Sequence, residues 1–368
     1  YHGVCFIDPH GDAIEWLLRR IPANRLEDVI LFDPSDAEYP FGLNLLEAHD
    51  ESERDFLVAE TIAIFYKLFD PERTGIIGPQ FEHWLRNAAL TVMAGSEGGS
   101  VIEIPKLFVD KRYEMSKRQH LTDPLVQEFW AKQMARTADF HKSEMLNYFM
   151  SKFGHFLNNT LMRNILGQHR SSFNFDEVIT KEKILLVNLS KGKVGDINAQ
   201  MLGLVLLAKL QAAILKRARA DATTRTPFYL YADEFQNFVT DTFVSMLSES
   251  RKYGLGVHVA NQYFSQLPRA LQDAVLGNVG TMLAFEVGVD DAERLAREFA
   301  PMESNDFLHL ARFHFYIKMM IDGKTTDAFS GETVPPSLEA NEATRQNILS
   351  INALAYGTPR VLVEEQIK

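Results

Sequence analysis

The sequence predicts an α/β protein with a mostly parallel central sheet, helices on its faces and an all-α domain inserted into the chain. Short apolar runs recur along the sequence, and most are separated by helical patterns. The runs are continuous rather than alternating, which is typical of parallel strands buried on both faces. Between about residues 50 and 167, helical periodicity replaces the strand pattern. The predicted strands are 3–8, 29–33, 183–189, 228–233, 256–261, 282–287 and 313–321.

The composition is that of a globular protein. Of the 368 residues, 46% are hydrophobic and 24% charged, which excludes a disordered or fibrous chain. The 38 Lys and Arg residues against 49 Asp and Glu residues give a net charge of −11, so any contact with DNA must come from local basic patches. The single cysteine, Cys5, excludes a disulfide framework, and its apolar surroundings in the sequence predict a buried thiol.

Four parts follow one another along the chain. Residues 1–50 are predicted to form the first part of the α/β domain, 51–168 the inserted all-α domain, 169–335 the second part of the α/β domain and 336–368 a C-terminal tail. The chain begins inside a predicted strand and without a methionine. We therefore expect further residues to precede it in the complete protein.

Several predicted strands end on a polar residue. These residues are Asp8, Asp33, Asn188, Asp233 and Asn261. In an open α/β sheet, ligands bind beyond the carboxyl ends of the strands. Any one of these residues is also an ordinary turn former, so it is their recurrence that indicates a site at this edge.

The strongest chemical signal is the pair Asp233-Glu234 at the end of the apolar run 228–232. Two acids at the carboxyl end of a buried strand form the arrangement called Walker B, in which the first holds Mg²⁺ and the second orients or deprotonates the attacking water. Neighbouring strand residues point to opposite faces, so both acids can serve one site only where the chain turns. We predict both as catalytic residues and Asp233 as the metal-binding one; a solvated turn is the simpler interpretation of such a pair taken alone.

Two further polar residues are candidates for the same site. Gln262 follows the next predicted strand and can contact a phosphate or position a water without adding charge. Arg251 lies near the end of a helix predicted over 241–253, roughly 15–20 Å from Asp233 at 1.5 Å per residue. It would therefore act on a neighbouring subunit, as an arginine finger that contributes roughly 10³–10⁵ in rate. A turn amide and an arginine that complements the helix dipole are the alternatives.

The phosphate-binding motif G-x-x-x-x-G-K-[ST], whose backbone N–H groups and lysine hold a triphosphate, does not occur in the sequence. The segment 191–195 has a similar composition but the wrong spacing, and we predict an exposed loop there. In sheets of this kind the phosphate loop usually follows the first strand, and 3–8 would then be the next strand. We expect the loop upstream of this chain.

A second interpretation starts from Asp8, His10 and the following Gly11-Asp12, which resemble the start of a two-metal phosphoesterase. That chemistry needs further ligands, including a G-N-H motif and later histidines. Gly277-Asn278 is followed by valine, and His258 lies in the middle of a predicted strand, where we expect a core residue. The sequence therefore favours the Walker B interpretation.

Together the motifs resemble those of the HerA/FtsK-type ATPases, and within them the TraG/TraD-type coupling proteins of conjugation and type IV secretion. The resemblance covers about residues 1–335. It rests on Asp8-Pro-His-Gly-Asp12, Gly78-Pro79, Leu85-Arg-Asn-Ala88, Ile184-Leu-Leu-Val-Asn188, Asp233-Glu-Phe-Gln-Asn237, Ser250-Arg-Lys-Tyr253 and Ala260-Asn-Gln262.

The resemblance implies a RecA-like motor domain with an all-α insertion, which works as a hexameric ring and moves DNA using ATP and Mg²⁺. It implies that Asp233 and Glu234 serve Mg²⁺ and hydrolysis, that Gln262 senses the γ-phosphate and that Arg251 is the finger that acts on the next subunit. Asp8 and Gly11 would lie near the nucleotide, as cofactor-binding residues.

The resemblance also implies partners and a location. The all-α domain would meet the relaxase or other secretion-system proteins. A membrane anchor, which the family carries near its N-terminus, would hold the protein in the cytoplasm at the inner face of the membrane. DNA contacts are expected from a few basic groups. These are Lys111-Arg112 with Lys117-Arg118, Lys191 with Lys193, and Lys216-Arg217 with Arg219. Each is also an ordinary solvated helix end.

Two other functions stay open at this point. One is a ring or scaffold module that binds DNA or secretion partners without hydrolysing ATP. The other is an ATPase of the same superfamily that moves protein rather than DNA.

Overall fold

The centre of the molecule is a parallel sheet. The computed structural model describes residues 2–367, apart from the side chain of Asp139. Within these residues the sheet has five parallel strands in the spatial order β2-β3-β1-β4-β5. The strands are β1 (Gly3–Asp8), β2 (Val29–Phe32), β3 (Ile184–Asn188), β4 (Phe228–Ala232) and β5 (Leu255–Val259). The first five predicted strands are therefore confirmed, and Cys5 is buried in the first of them.

Helices that connect the parallel strands lie on both faces of the sheet. On one face, α1 packs its buried residues Ile14 and Leu18 against β2 and β3. On the other face, the crossovers into β3, β4 and β5 belong to the main hydrophobic core. The connecting helices are α1 (Asp12–Leu18), α9 (Phe175–Thr180), α10 (Lys191–Val194), α11 (Asp196–Lys216) and α12 (Asp241–Glu249), and α13 (Arg269–Asn278) follows β5. The segment 191–195, predicted as a loop, contains the short helix α10.

The predicted all-α insertion lies between β2 and β3 in the chain. Its core is aromatic: the rings of Phe65 and Phe153 are 4.7 Å apart, and those of Phe81 and Phe149 are 4.6 Å apart. This core is continuous with the core of the sheet. The helices are α2 (Glu51–Phe69), α3 (Pro79–Val92), α4 (Lys106–Val109), α5 (Lys111–Arg118), α6 (Pro124–Glu128) with a π-helical continuation (Phe129–Met134), α7 (Asp139–Leu157) and α8 (Thr160–Leu166).

The last two predicted strands lie in a separate antiparallel sheet with the order β10-β7-β6. One face of this sheet packs on Phe299 and Phe307, while Leu283 and Phe329 on the other face are exposed. Strands covered on one face can pair antiparallel, which continuous apolar runs alone do not reveal. The elements are β6 (Met282–Ala284), α14 (Val289–Glu298), α15 (Ser304–Leu308), β7 (His314–Lys318), β8 (Met320–Ile321), β9 (Lys324–Thr325) and β10 (Phe329–Glu332).

The C-terminal tail forms two helices, α16 (Glu342–Tyr356) and α17 (Arg360–Ile367). Helix α16 lies along the edge strand β2, where Asn352 accepts a hydrogen bond from the N–H of Leu31 at 2.7 Å and donates one to the C=O of Val29 at 3.1 Å. Helix α17 packs on α8 of the insert. The tail therefore connects the two parts of the molecule.

Helix α11 explains why apolar length alone does not indicate a membrane span. Together with the turn that follows, it covers Asp196–Arg219 and is long and apolar enough to cross a membrane. However, 89% of its most apolar window is buried inside the protein. Among the described residues it is a core helix beneath the sheet.

Candidate active site

The acidic pair lies at the carboxyl end of β4, where the backbone is held from both sides. The N–H of Asp233 donates to the C=O of Ile7 in β1 at 3.1 Å. The N–H of Phe235 donates to the C=O of Ala260, just after β5, at 3.2 Å. The chain therefore turns at this point while its backbone stays fixed between the neighbouring strands.

Glu234 adopts a left-handed backbone conformation, with φ 46° and ψ 43°, that an ordinary L-residue rarely takes. The chain therefore turns directly after Asp233, which is the condition under which both acids can serve one site. The Glu234 side chain is buried, and its Oε2 accepts a hydrogen bond from Gln236 Nε2 at 2.6 Å. Strained conformations of this kind are common at functional sites.

Gln236 is a residue of this site that the sequence analysis missed. Its amide nitrogen also lies 3.3 Å from Gln266 Oε1. Its own Oε1 is buried and has no hydrogen-bond partner among the described residues. A buried acceptor without a donor is a place where a water or a ligand would be bound. The spacing of two residues after Glu234 is the signal that could have indicated it.

Asp8 lies opposite Asp233, since Ile7 is paired with Ala232 in the register of β1 and β4. Its carboxylate accepts hydrogen bonds from the backbone N–H groups of His10 at 2.8 Å, Ala13 at 2.9 Å and Ile14 at 3.1 Å. These bonds satisfy donors at the start of α1. Asp8 therefore holds the loop and the helix at the edge of the site, and its predicted contact with a nucleotide stays a prediction.

Gly11 lies in the same loop and has φ 93°. A Cβ atom at this position would lie 2.5 Å from Asn188 Oδ1 and 2.6 Å from Ser190 Oγ. Asn188 also reaches Asp33 Oδ2, at 3.4 Å. The polar ends of β1, β2 and β3 therefore form one hydrogen-bonded edge around a glycine that has no room for a side chain.

The surroundings of Asp233 disfavour the ionised form of its carboxyl group. Burial raises the pKa of Asp233 above its usual value, and the carboxylates of Glu234 and Asp8 raise it further. The N–H of Glu234 and the nearby His10 only partly offset these effects. A divalent cation would stabilise the ionised form of this carboxylate.

Gln262 and Arg251 lie at opposite ends of β5. Gln262 follows the carboxyl end, two residues after Ala260, and its side chain is exposed. Arg251 lies in the 3₁₀ turn Ser250–Tyr253 before the amino end, and it is exposed too. The structure thus brings Gln262 to the edge of the sheet that carries Asp233. Arg251 lies at the other edge, away from Asp233, as the sequence predicted.

The residues at this edge of the sheet are suited to bind Mg²⁺ in the manner of nucleotide-dependent sites. No cluster of three or more His, Cys, Asp or Glu side chains that could enclose a metal occurs within residues 2–367. Mg²⁺ in such sites is held by one or two carboxylates, with water and phosphate oxygens as the other ligands. Asp233 can supply that carboxylate, and a bound Mg²⁺ would neutralise charge on the phosphates.

The same observation disfavours the two-metal phosphoesterase interpretation, which needs several ligands close together. The expectation that His258 is a core residue was wrong. His258 is exposed in β5 and stacks on the ring of Tyr231, with the centroids 4.3 Å apart.

Most of the basic groups predicted for DNA are engaged within the chain. Lys111 and Arg118 both pair with Glu114, Lys216 pairs with Glu53, and Arg219 pairs with Asp50. Lys117 and Arg217 donate to backbone carbonyls. In the part of the chain that the structure describes, Arg112, Lys191 and Lys193 have no ion pair. Helix α10 brings the two lysines to the carboxyl side of the sheet, where the N–H of Lys191 bonds to the C=O of Pro9 at 2.9 Å.

Comparison with known proteins relates this site to a family. Residues 227–302, which include β4, the acidic pair, Arg251 and Gln262, match the family model described as the TraM recognition site of TraD and TraG. No curated protein gave a significant match to the sequence.

Solved structures share the fold over most of the chain. The plasmid coupling protein TrwB in complex with ADP and Mg²⁺ gives a TM-score of 0.60 at 12% identity, over 93% of this chain and 81% of that one. TrwB with a non-hydrolysable ATP analogue gives 0.57 at 13% identity, over 92% and 78%. VirB4 of Thermoanaerobacter pseudethanolicus gives 0.52 at 14% identity, over 91% and 82%.

At these identities the structural likeness concerns the fold, a mostly parallel RecA-like sheet with an all-α insertion. The family match covers the segment that carries the acidic pair. The family match over residues 227–302 agrees with the resemblance to TraG/TraD-type proteins that the motifs indicated, and the solved structures confirm the predicted fold.

Proposed function

We propose that this chain is the motor part of an ATP-driven coupling protein that moves DNA, and that Asp233 and Glu234 carry out hydrolysis with Mg²⁺. The observation that carries the proposal is the acidic pair at the end of β4, with its backbone fixed between β1 and β5 and Asp8 and Gln262 at the same edge. The family match spans this segment. A relative of the same fold was solved with ADP and Mg²⁺.

The proposal assigns a role to each residue. Asp233 binds Mg²⁺, and Glu234, held by Gln236, orients and deprotonates the attacking water. Gln262 contacts the γ-phosphate. Arg251 acts on the site of the neighbouring subunit in a hexamer, since its own site lies beyond the far end of β5.

We further propose that the phosphate-binding loop belongs to a strand and helix that pair with the free edge of β5. Phe6, Tyr229, Tyr231 and His258 lie on the same face of the sheet as α1. The ring of Tyr231 stacks with those of Phe6 and His258, and the side chains of Tyr231 and His258 are exposed. A right-handed connection between two parallel strands places its helix on this face when the second strand lies nearer to β2 than the first. The connection from β1 to β2 is of this kind. A strand beyond β5 that leads into β1 would thus cover these rings with its helix.

The partners are part of the proposal. The description of the matched family names recognition of TraM, which supports a protein partner of the DNA-processing complex for residues 227–302. The all-α insert remains the surface we propose for the relaxase or other secretion-system proteins. Arg112, Lys191 and Lys193 are the basic groups we propose for DNA, and binding through them should weaken steeply with salt.

The test is ATP turnover and nucleotide binding by the full-length natural protein. We expect Glu234→Gln to bind ATP as the wild type does while turnover falls by about 10²–10⁴, the usual contribution of a general base. We expect Asp233→Asn to lose Mg²⁺-dependent binding as well. Glu177→Gln, an exposed acid at the other edge of the sheet, is the control and should change neither property. Unchanged turnover in Glu234→Gln would refute the assignment, and a wild type that binds but does not hydrolyse ATP would favour the scaffold function.

A further inference from the structure

A buried acid of the all-α insert contacts the start of the helix that follows the acidic pair. Glu60 lies in the middle of α2 and is 1% exposed. Its Oε2 is 3.1 Å from the Thr240 hydroxyl, and its Oε1 is hydrogen-bonded to the Thr242 hydroxyl. The two hydroxyl oxygens are themselves 2.7 Å apart. The carboxyl group and the two threonines thus form a closed ring of three oxygen–oxygen contacts.

Counting hydrogens assigns the protonation state of Glu60. Each contact of the ring needs one hydrogen between its two oxygens. The hydroxyls of Thr240 and Thr242 supply two. If Glu60 is ionised, both hydroxyls must point at it, and the contact between the threonines is left without a hydrogen. If Glu60 is protonated, its O–H donates to Thr242, Thr242 donates to Thr240, and Thr240 donates back to the other carboxyl oxygen, which satisfies the whole ring.

The charges around the ring agree with this assignment. Burial raises the pKa of Glu60, the hydrogen bonds from Thr242 and Thr240 lower it in part, and Asp241 raises it further. Two nearby cations act on Asp241: Lys67 of α2 interacts with it electrostatically, and Arg73 forms a 3.2 Å ion pair with it. From α11, the neutral Gln211 lies 3.4 Å from the Thr242 carbonyl. Among the described residues, no side chain forms an ion pair with Glu60.

The ring lies between the acidic pair and the helix that leads to Arg251. Thr240 is the N-cap of α12 and follows Glu234 by six residues. Its hydroxyl makes no capping bond to α12 and contacts Glu60 instead. Between Glu234 and Thr240 the chain is anchored by Phe238, which packs so closely on Gly203 of α11 that a Cβ atom there would be 2.3 Å from its ring. At its other end α12 leads into the turn that carries Arg251.

We propose that Glu60, as a neutral acid, is a positioning residue that holds the start of α12 on the all-α insert. A displacement of the insert by a bound partner then reaches the acidic pair through the residue 235–240 loop and Arg251 through the helix. The effect of such a displacement on the acidic pair and on Arg251 rests on the proposed function. The protonated state of Glu60 and its contact with the start of α12 do not.

The first test compares the thermal stability of the wild type and Glu60→Gln between about pH 5 and about pH 8. A glutamine amide can donate to Thr242 and accept from Thr240, so the ring stays complete. Below the ordinary pKa of about 4.5, Glu60 is protonated in both the folded and the unfolded state. As the pH rises, the unfolded wild type loses its proton first, so folding of the wild type becomes less favourable until the raised folded pKa is passed. We expect the Tm of Glu60→Gln to rise relative to wild type across this range.

Glu53→Gln is the matched control, because Glu53 is buried in the same helix but paired with Lys216 at 2.8 Å. Glu53→Gln should lower the Tm at neutral pH, since it removes the carboxylate charge that pairs with Lys216. If the Tm difference between Glu60→Gln and wild type stays constant with pH, or if Glu60→Gln behaves as Glu53→Gln does, Glu60 is ionised in the folded protein and the proposal is overturned.

The second test measures hydrogen exchange of the same chain, without nucleotide. Glu60→Ala should increase exchange of the α12 amides at least tenfold while the amides of β3 keep their rates, and Glu60→Gln should restore protection of α12. An increase spread over the whole chain, or none in α12, would contradict the positioning role. Neither measurement depends on ATP hydrolysis, so a protein that proves not to be an ATPase would leave both results standing and remove only the link to the acidic pair and Arg251.

Discussion

At the scale of single residues, the site depends on positions where the backbone leaves the conformations that ordinary residues prefer. Glu234 takes a left-handed conformation so that the second acid can leave the strand end. Gly11 does the same at the start of α1, and Asn188 and Ser190 fill the space where a side chain would be. The first position costs strain, and the second requires glycine for reasons of both conformation and space.

Gly11→Ala should therefore destabilise the protein by about 2–4 kcal/mol, since the strain of a left-handed alanine adds to the displacement of Asn188 and Ser190. Gly75→Ala is the matched control, because Gly75 has φ 96° but no atom lies within 4 Å of the place that its Cβ would take. It should cost only about 1 kcal/mol from backbone strain. Chemical denaturation of both variants measures the difference, and equal losses would show that the contacts with Asn188 and Ser190 do not restrict this position.

Sequence patterns alone single out the two acids of the candidate site but not the residues that contact them. Two adjacent acids after an apolar run are a local pattern, so Asp233 and Glu234 could be found without coordinates. The role of Gln236 depends on the direction in which Glu234 leaves the turn, which a left-handed residue decides. Glu60 contacts residues 180 positions away, and no local pattern indicates such a pair.

At the scale of elements, the parallel strands were predictable because burial on both faces leaves a continuous apolar run. The pairing of β6 and β7 was not, because each is a short strand whose partner depends on which face the rest of the molecule covers. The edge strand β2 is another feature that the sequence does not reveal. Its backbone groups are satisfied by a side chain, Asn352, from a helix more than 300 residues later.

Asn352→Ala should cost about 2–4 kcal/mol, because it leaves the buried N–H of Leu31 and the C=O of Val29 without partners. Asn347→Ala is the control, since Asn347 lies exposed on the same helix α16 and the exchange should change stability by less than about 0.5 kcal/mol. Urea denaturation of the two variants separates the loss of the edge contact from any change in helix propensity. Similar midpoints for both would mean that water replaces Asn352 at this edge.

At the scale of the whole molecule, one continuous core joins the all-α insert to the sheet, and the C-terminal helices connect the two parts again from outside. The insert is therefore placed to act on the α/β domain as a body rather than through a flexible linker. The sheet separates the two ends of the proposed chemistry: Asp233 lies at the carboxyl edge, and Arg251 lies before the amino end of β5. A strand of five residues spans roughly 17 Å, which is too far for an arginine to reach its own subunit's phosphates.

This separation makes a prediction about assembly. In the full-length protein, Arg251→Ala should lose turnover by about 10³–10⁵, as expected when an arginine finger is removed. Glu234→Gln should also be inactive, because it lacks the carboxylate that deprotonates the attacking water. When the two variants are mixed and allowed to reassemble, some interfaces combine the intact acids of one subunit with the intact arginine of the next. For random mixing at equal amounts, about a quarter of the interfaces are of this kind, and ATP turnover should recover towards that fraction. Lys252→Ala, which changes the adjacent exposed cation, should be active without mixing. If no ratio of the two inactive variants restores turnover, Arg251 does not act across a subunit boundary, and its loss of activity must come from within the chain.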